Sequence, residues 1–207
     1  MTGASPMQPR VSVAGKFFRL GEKKFYAQGV AYGPFAPQPG ADEGGFASPE
    51  RTAEDFKLIR ELGANLVRVY SVPGQWFLDL AGTQGLKVLV DVAWNQHVCF
   101  LDSAGDREQA RQAVRSAVVL CQRHPAVFAF SVGNEISPDI VRWTGARAVA
   151  DFIDELVGEA KRIDPDCLCT YTNFPPTEFL RPASVDFTCF NVYLNQENAF
   201  AGYLARL

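Results

Sequence analysis

The chain has 207 residues, 47% of them hydrophobic, with 20 basic against 23 acidic side chains and a formal net charge of -3. That apolar content suffices for a buried core. The interspersed charges offer no stripe for a nucleic-acid backbone and no polybasic membrane patch, and no apolar run reaches the roughly 18 residues of a membrane-spanning helix.

Met1 to Arg10 is a polar stretch with Pro, Gly and Ser, expected to be a disordered tail without an export signal. Residues 11–207 read as one α/β domain. Val11–Gly15 and Lys16–Leu20 predict a β-hairpin, residues 11–24, that caps one end of a core, and Phe25 to Tyr32 predicts the first core strand. From residue 25 onward strands and helices alternate. Ser48 or Thr52 opens a helix carrying Phe56, Ile59 and Leu62, which Gly63 stops before the strand Ala64–Tyr70. Pro73 to Gln84 is a short helix, followed by the strand Leu86–Trp94. Asp106 is the expected cap of a helix with Ala110, Ala113, Val114, Ala117, Val118 and Cys121 on one face. After His124-Pro125, the run Ala126–Gly133 is apolar and too short for a helix, so it predicts a strand buried on both faces. Ser137-Pro138 has the N-cap and N1 chemistry of a helix start. A helix with Val149, Phe152, Ile153, Leu156, Val157 and Ala160 on one face, the strands Cys167–Asn173 and Val185–Tyr193, and an amphipathic segment from Glu197 complete the pattern.

Alternation at this spacing requires a parallel sheet with right-handed crossovers, either doubly wound or barrel-like. Neither a G-x-G-x-x-G turn nor a G-x-x-x-x-G-K-[ST] loop is present, which removes the usual support for a nucleotide-binding open sheet. The predicted fold is therefore a (β/α)8 TIM-barrel type, incomplete at about six βα units, with an N-terminal β-hairpin. Ligands of such sheets bind beyond the carboxyl ends of the strands. There the sequence places Tyr32, Arg68, Tyr70, Trp94, Asn95 and His97, then Asn134 and Glu135, Tyr171 and Asn173, and Asn191 and Tyr193. Aromatic faces stack on sugar rings while amides and carboxylates bond hydroxyls, so a carbohydrate is the ligand class that fits best. Tyr32, Tyr70, Tyr171 and Trp94 are equally readable as packing residues, and His97 as a solvated loop residue. Arg68, inside an apolar strand, requires an anionic partner in the cleft. Five cysteines, Cys99, Cys121, Cys167, Cys169 and Cys189, are an odd number without metal-ligand spacing. Reduced thiols, no metal, no cofactor and a cytoplasmic location are the corresponding expectations. An open sheet of six strands also exposes two edges, through which a partner chain or a second copy can pair.

Three segments, Leu66-Val-Arg68-Val-Tyr70, Val132-Gly-Asn134-Glu135 and Phe190-Asn-Val-Tyr193, resemble the clan A glycoside hydrolases, and most closely the family-two-like barrels. They resemble equally the hydrolase-like barrels found fused to bacterial membrane glycosyltransferases. The resemblance runs from about Phe25 to the end and implies a retaining β-glycoside hydrolase in which Glu135 is the general acid/base. It further implies that Asn134 holds the sugar 2-hydroxyl, and that Arg68 and Tyr193 orient a second carboxylate, the nucleophile, at the end of a seventh strand that the six-strand count does not reach. Asp91 lies inside a strand, and Asp139, Glu178 and Glu197 fall in helix starts or loops, so none is expected opposite Glu135. The alternatives are a catalytically inactive carbohydrate-binding or interaction domain of a polysaccharide-synthesising glycosyltransferase system, and an unrelated α/β barrel enzyme with Glu135 as a base.

Overall fold

The structure is a computed structural model that describes residues 9–36, 45–121 and 123–207. The expected disordered tail lies outside the described residues up to residue 8; Arg10 is anchored, its guanidinium 2.8 Å from the Asp164 carboxylate. Three short strands, β1 (Val11–Ala14), β2 (Phe17–Leu20) and β3 (Lys23–Phe25), form an antiparallel sheet. Six parallel strands follow in sequential order: β4 (Gly29–Ala31), β5 (Leu66–Val69), β6 (Lys87–Asp91), β7 (Val127–Asn134), β8 (Cys169–Asn173) and β9 (Cys189–Phe190). Helices α1 (Pro49–Glu61), α2 (Gln75–Thr83), α3 (Ala104–Cys121), α4 (Pro138–Thr144), α5 (Ala146–Ile163) and α6 (Glu197–Arg206) connect or follow them. This is the incomplete (β/α)8 architecture, with β4 and β9 as its outer strands. No helix among the described residues is long and apolar enough to cross a membrane.

The two-residue period of the strands divides the sheet into two surfaces. Val67 and Val69 of β5, Val88 and Val90 of β6, and Phe130 and Val132 of β7 join the main core under the helices. Helix α5 meets them with Val149, Phe152, Ile153, Leu156 and Val157, the face its sequence period predicts. The alternate residues Leu66, Leu89, Phe128 and Leu168 face a second apolar cluster with Val11, Phe18 and Phe25 of the hairpin sheet. Phe18 seals it, its ring 4.9 Å from Phe128 and 5.0 Å from Phe187. Each such ring removed from water contributes on the order of 1.5–3 kcal/mol. The hairpin thus closes the amino-terminal end of the sheet. Two residues further along the same surface, Leu66 is succeeded by Arg68 and Leu89 by Asp91, so this face turns polar toward the carboxyl ends.

Several boundaries differ from expectation for local reasons. Ser103, not Asp106, caps α3: the Ser103 Oγ accepts from the Asp106 backbone N–H at 3.1 Å. Leu62 follows α1 as its C-cap and is 77% exposed, so the helix buries only Phe56 and Ile59 of the expected face, together with Thr52. β9 has two residues instead of the nine from Val185 to Tyr193, because as an outer strand it has a pairing partner on one side only.

Candidate active site

Strand β7 carries the central group. The Glu135 backbone N–H donates to the Thr172 carbonyl at 2.9 Å, which ties the strand end to β8. Glu135 itself has a φ of 52°, in the left-handed region that costs a side chain about 1–2 kcal/mol. The next residue, Ile136, is fully buried, and its N–H donates to the Tyr171 hydroxyl at 3.0 Å. The reversed backbone therefore sends Ile136 into the core while leaving the Glu135 carboxyl among Asn191 and Tyr193. Strained backbone of this kind is found where function holds it. Glycine has no Cβ penalty there, so Glu135→Gly is expected to be more stable than Glu135→Ala by about 1 kcal/mol, the reverse of the order at an ordinary position. Urea unfolding of the two variants checks this.

Around Glu135 the hydrogen bonds form one network. Glu135 Oε1 accepts from Asn191 Nδ2 at 2.7 Å and from the Tyr193 hydroxyl. Asn134 Oδ1 accepts from Asn191 Nδ2 and from Arg68 Nη2, each at 2.9 Å. Arg68 in turn donates through Nη1 to Asn191 Oδ1 at 2.6 Å, and through Nε and Nη2 to Asp91 Oδ2 at 2.9 and 2.6 Å. The Tyr70 ring lies 5.0 Å from the guanidinium carbon. Gln96, 8% exposed, accepts the Asn134 backbone N–H at 2.8 Å and fixes the end of β7 from the β6 loop. Four strand ends, those of β5, β6, β7 and β9, thus supply one constellation.

Charge is distributed unevenly over it. Burial pushes the Asp91 carboxyl above the ordinary carboxylate value, against the pull of Arg68. Burial also works against the Arg68 charge, but Asp91 more than offsets it and the pKa rises. The pair is a half-buried cation held in place by one oxygen of a buried carboxylate; among the described residues the Asp91 Oδ1 atom has no hydrogen-bond partner, and the Ser131 hydroxyl bonds the Gly133 carbonyl and the Thr172 hydroxyl. The hydrogen bond to Glu135 raises Tyr193, and burial lifts Tyr171 to about 12, so both phenols keep their protons at neutral pH.

Of the residues singled out in the sequence, Arg68, Asn134, Glu135, Asn191 and Tyr193 come together, and Trp94 borders them. The Trp94 indole donates to the Val132 carbonyl at 2.8 Å and packs edge-on to Phe100, so it is a wall fixed in the core. Tyr32, Asn95 and His97 are not part of the cluster. Tyr32 is buried under α1, with its hydroxyl on Asp55 at 3.0 Å, because the side of β4 it extends faces the helices. The Asn95 amide bonds Asp106 at 3.1 Å on the exposed loop, and His97 is exposed beyond it; the loop turns after β6 ends at Asp91, so strand alternation no longer sets their direction. Arg68, which requires an anionic partner in the cleft, has one in Asp91, and Tyr193 bonds Glu135. Asp91 and Gln96 are the members that sequence reasoning missed. For Asp91 a signal existed, since it stands two residues after inward-facing Leu89.

The family model described as Glucanosyltransferase (Glyco_hydro_72) matches residues 3–163. A β-glucuronidase of Bacteroides fragilis is 25% identical over 153 residues, 70% of this chain and 21% of the relative. Among solved structures, the Bifidobacterium dentium β-glucuronidase complexed with coumarin-3-O-glucuronide superposes with a TM-score of 0.77 at 21% identity, over 96% of this chain and 32% of that one. A putative β-galactosidase from Bacteroides fragilis gives a TM-score of 0.73 at 19% identity, over 96% of this chain and 28% of that one. The chain therefore spans from about a fifth to a third of the length of these proteins. At such identities the superpositions establish the fold alone, the sheet of an incomplete TIM barrel, and the relatives are named as β-glucuronidases and a putative β-galactosidase. Because the matching model covers most of its length, the chain belongs to the glucanosyltransferase (Glyco_hydro_72) family of glycoside hydrolases.

Proposed function

We propose that this chain acts on β-linked glycosides by a retaining mechanism of the clan A, family-two-like kind, with Glu135 as the general acid/base. The observation that carries the reading is the Glu135 carboxyl held by Asn191 and Tyr193 at the end of a parallel strand, next to Asn134. In the first step a carboxylate oxygen attacks the anomeric carbon, the bond to the leaving oxygen breaks, and Glu135 gives that oxygen its proton. In the second, the Glu135 carboxylate takes a proton from water or from a sugar hydroxyl, whose oxygen attacks the anomeric carbon and releases the enzyme carboxylate. Asn134, with its carbonyl oxygen occupied by Arg68 and Asn191, turns its amide N–H groups to the sugar 2-hydroxyl. Arg68 positions Asn134 and Asn191 together.

The attacking carboxylate must stand about 5 Å from Glu135. Asp91 is buried and committed to Arg68, so we assign the role to a residue on a strand that pairs with the free edge of β9. β9 is an outer strand whose second edge offers backbone groups to such a strand from a partner chain or a second copy. The commitment of Asp91 equally favours a second reading, a carbohydrate-binding domain without turnover serving a polysaccharide-synthesising system. Aryl β-glycoside assays together with oligosaccharide calorimetry separate the readings. Turnover abolished by Glu135→Gln supports the enzyme, whereas binding without turnover, undiminished in that variant, supports the binding domain.

A further inference from the structure

Exposed aromatic rings are not scattered over this molecule. Among the described residues, Phe35, Tyr70, Trp143, Phe179 and Tyr193 are exposed, and each follows the carboxyl end of a different parallel strand: β4, β5, β7, β8 and β9 respectively. The other two exposed rings are Tyr26 and Phe200. Trp143 is the most open of the set at 73% exposure. It stands in α4, the short helix between Glu135 and α5, and its Nε1–H donates to Asp102 Oδ2 at 2.9 Å. Asp102 lies in the loop that leaves β6, ahead of α3. Both partners therefore follow strand ends and precede the long helices that return along the sheet, which places the ring on the carboxyl-terminal side of the sheet, in the segment that runs from Glu135 to α5. A large apolar surface in water has a cost that a purely structural residue avoids by burial, and a hydrogen bond to a loop carboxylate fixes the ring without covering it.

We infer that Trp143, held by Asp102, is a stacking subsite for a sugar ring of an extended β-linked oligosaccharide whose reacting unit lies at Glu135. The inference rests on the glycoside reading above. In β-linked gluco-configured chains the hydroxyls are equatorial, so each ring presents flat faces of C–H groups whose positive edge meets the negative face of an indole. An indole locked at its nitrogen pays less ordering entropy than a free side chain when a sugar stacks on it. The subsite therefore selects for chain length and leaves the chemistry at Glu135 unchanged.

Calorimetry of the chain with cellohexaose and laminarihexaose, compared with methyl β-D-glucoside, tests this, alongside turnover of p-nitrophenyl β-D-glucoside and p-nitrophenyl β-D-glucuronide. Trp143→Ala is expected to weaken binding of a hexasaccharide about tenfold, Trp143→Phe to retain most of it, and both to leave methyl glucoside binding and aryl glycoside turnover unchanged. Circular dichroism checks that the exposed substitution leaves the fold intact. Hexasaccharide binding that is the same in Trp143→Ala as in the parent chain overturns the inference while leaving Glu135 in its role. If neither hexasaccharide nor aryl glycoside is bound or turned over, the glycoside reading fails and the subsite fails with it.

Discussion

Replacing Arg68 by alanine is expected to lower the unfolding free energy by about 3–5 kcal/mol at neutral pH, because it strands Asp91 as a buried carboxylate with no cation. That is a large share of the roughly 5–15 kcal/mol that holds a domain together. The loss has a definite pH dependence. Burial raises Asp91 above its unfolded value even with Arg68 in place, and removing the guanidinium takes away the main influence opposing that rise. A carboxyl whose folded pKa lies above its unfolded one favours the native state in its protonated form. The native state then binds more protons between the two values, and stability falls as pH rises through that window. The variant should accordingly regain much of its stability as the pH is lowered from 8 toward the ordinary carboxylate range of about 4. Urea unfolding of parent and variant across that range measures it. A deficit that is constant with pH, or below about 1 kcal/mol, would show that Arg68 and Asp91 are not coupled as described.

In any assay that registers turnover of an aryl β-glycoside, Glu135→Gln is expected to reduce kcat by about 10²–10⁴, the usual contribution of a positioned proton donor. Glutamine preserves the acceptor oxygen for Asn191, so the network survives and the loss reports the proton. The deficit should shrink for dinitrophenyl glycosides, whose leaving oxygen needs little protonation, and be largest for phenyl glycosides. Equal losses on both would indicate that the substitution acts by disturbing the site and not by removing an acid.

Much of this arrangement was legible in the residues, and the failures have physical causes. β7 and α5 are long and strongly patterned, so their positions and buried faces follow from period alone. Arg68 announced an anionic partner by its place in an apolar strand. Its identity is hidden because an aspartate within a strand reads as a core position, although the alternation Leu89, Asp91 puts it on the same face as Leu66 and Arg68. Tyr32 stays outside the cluster for the opposite reason, since it lies one residue beyond β4 on the helix side. Asn95, Gln96 and His97 occupy a loop with no period, where Gln96 is buried and Asn95 and His97 are exposed. The αL conformation of Glu135 had no signal in the residue type, which only rarely adopts it.

In the proposed site Glu135 meets the glycosidic oxygen of a bound β-glycoside, and a crystal structure of the Glu135→Gln variant with an intact p-nitrophenyl β-glycoside shows whether it does. The glycosidic oxygen is expected about 3 Å from the residue 135 side chain, with the sugar 2-hydroxyl on the Asn134 amide. A glycoside seated in the recess beneath the hairpin, or anywhere that leaves residue 135 and Asn134 without contact to it, would rule that assignment out.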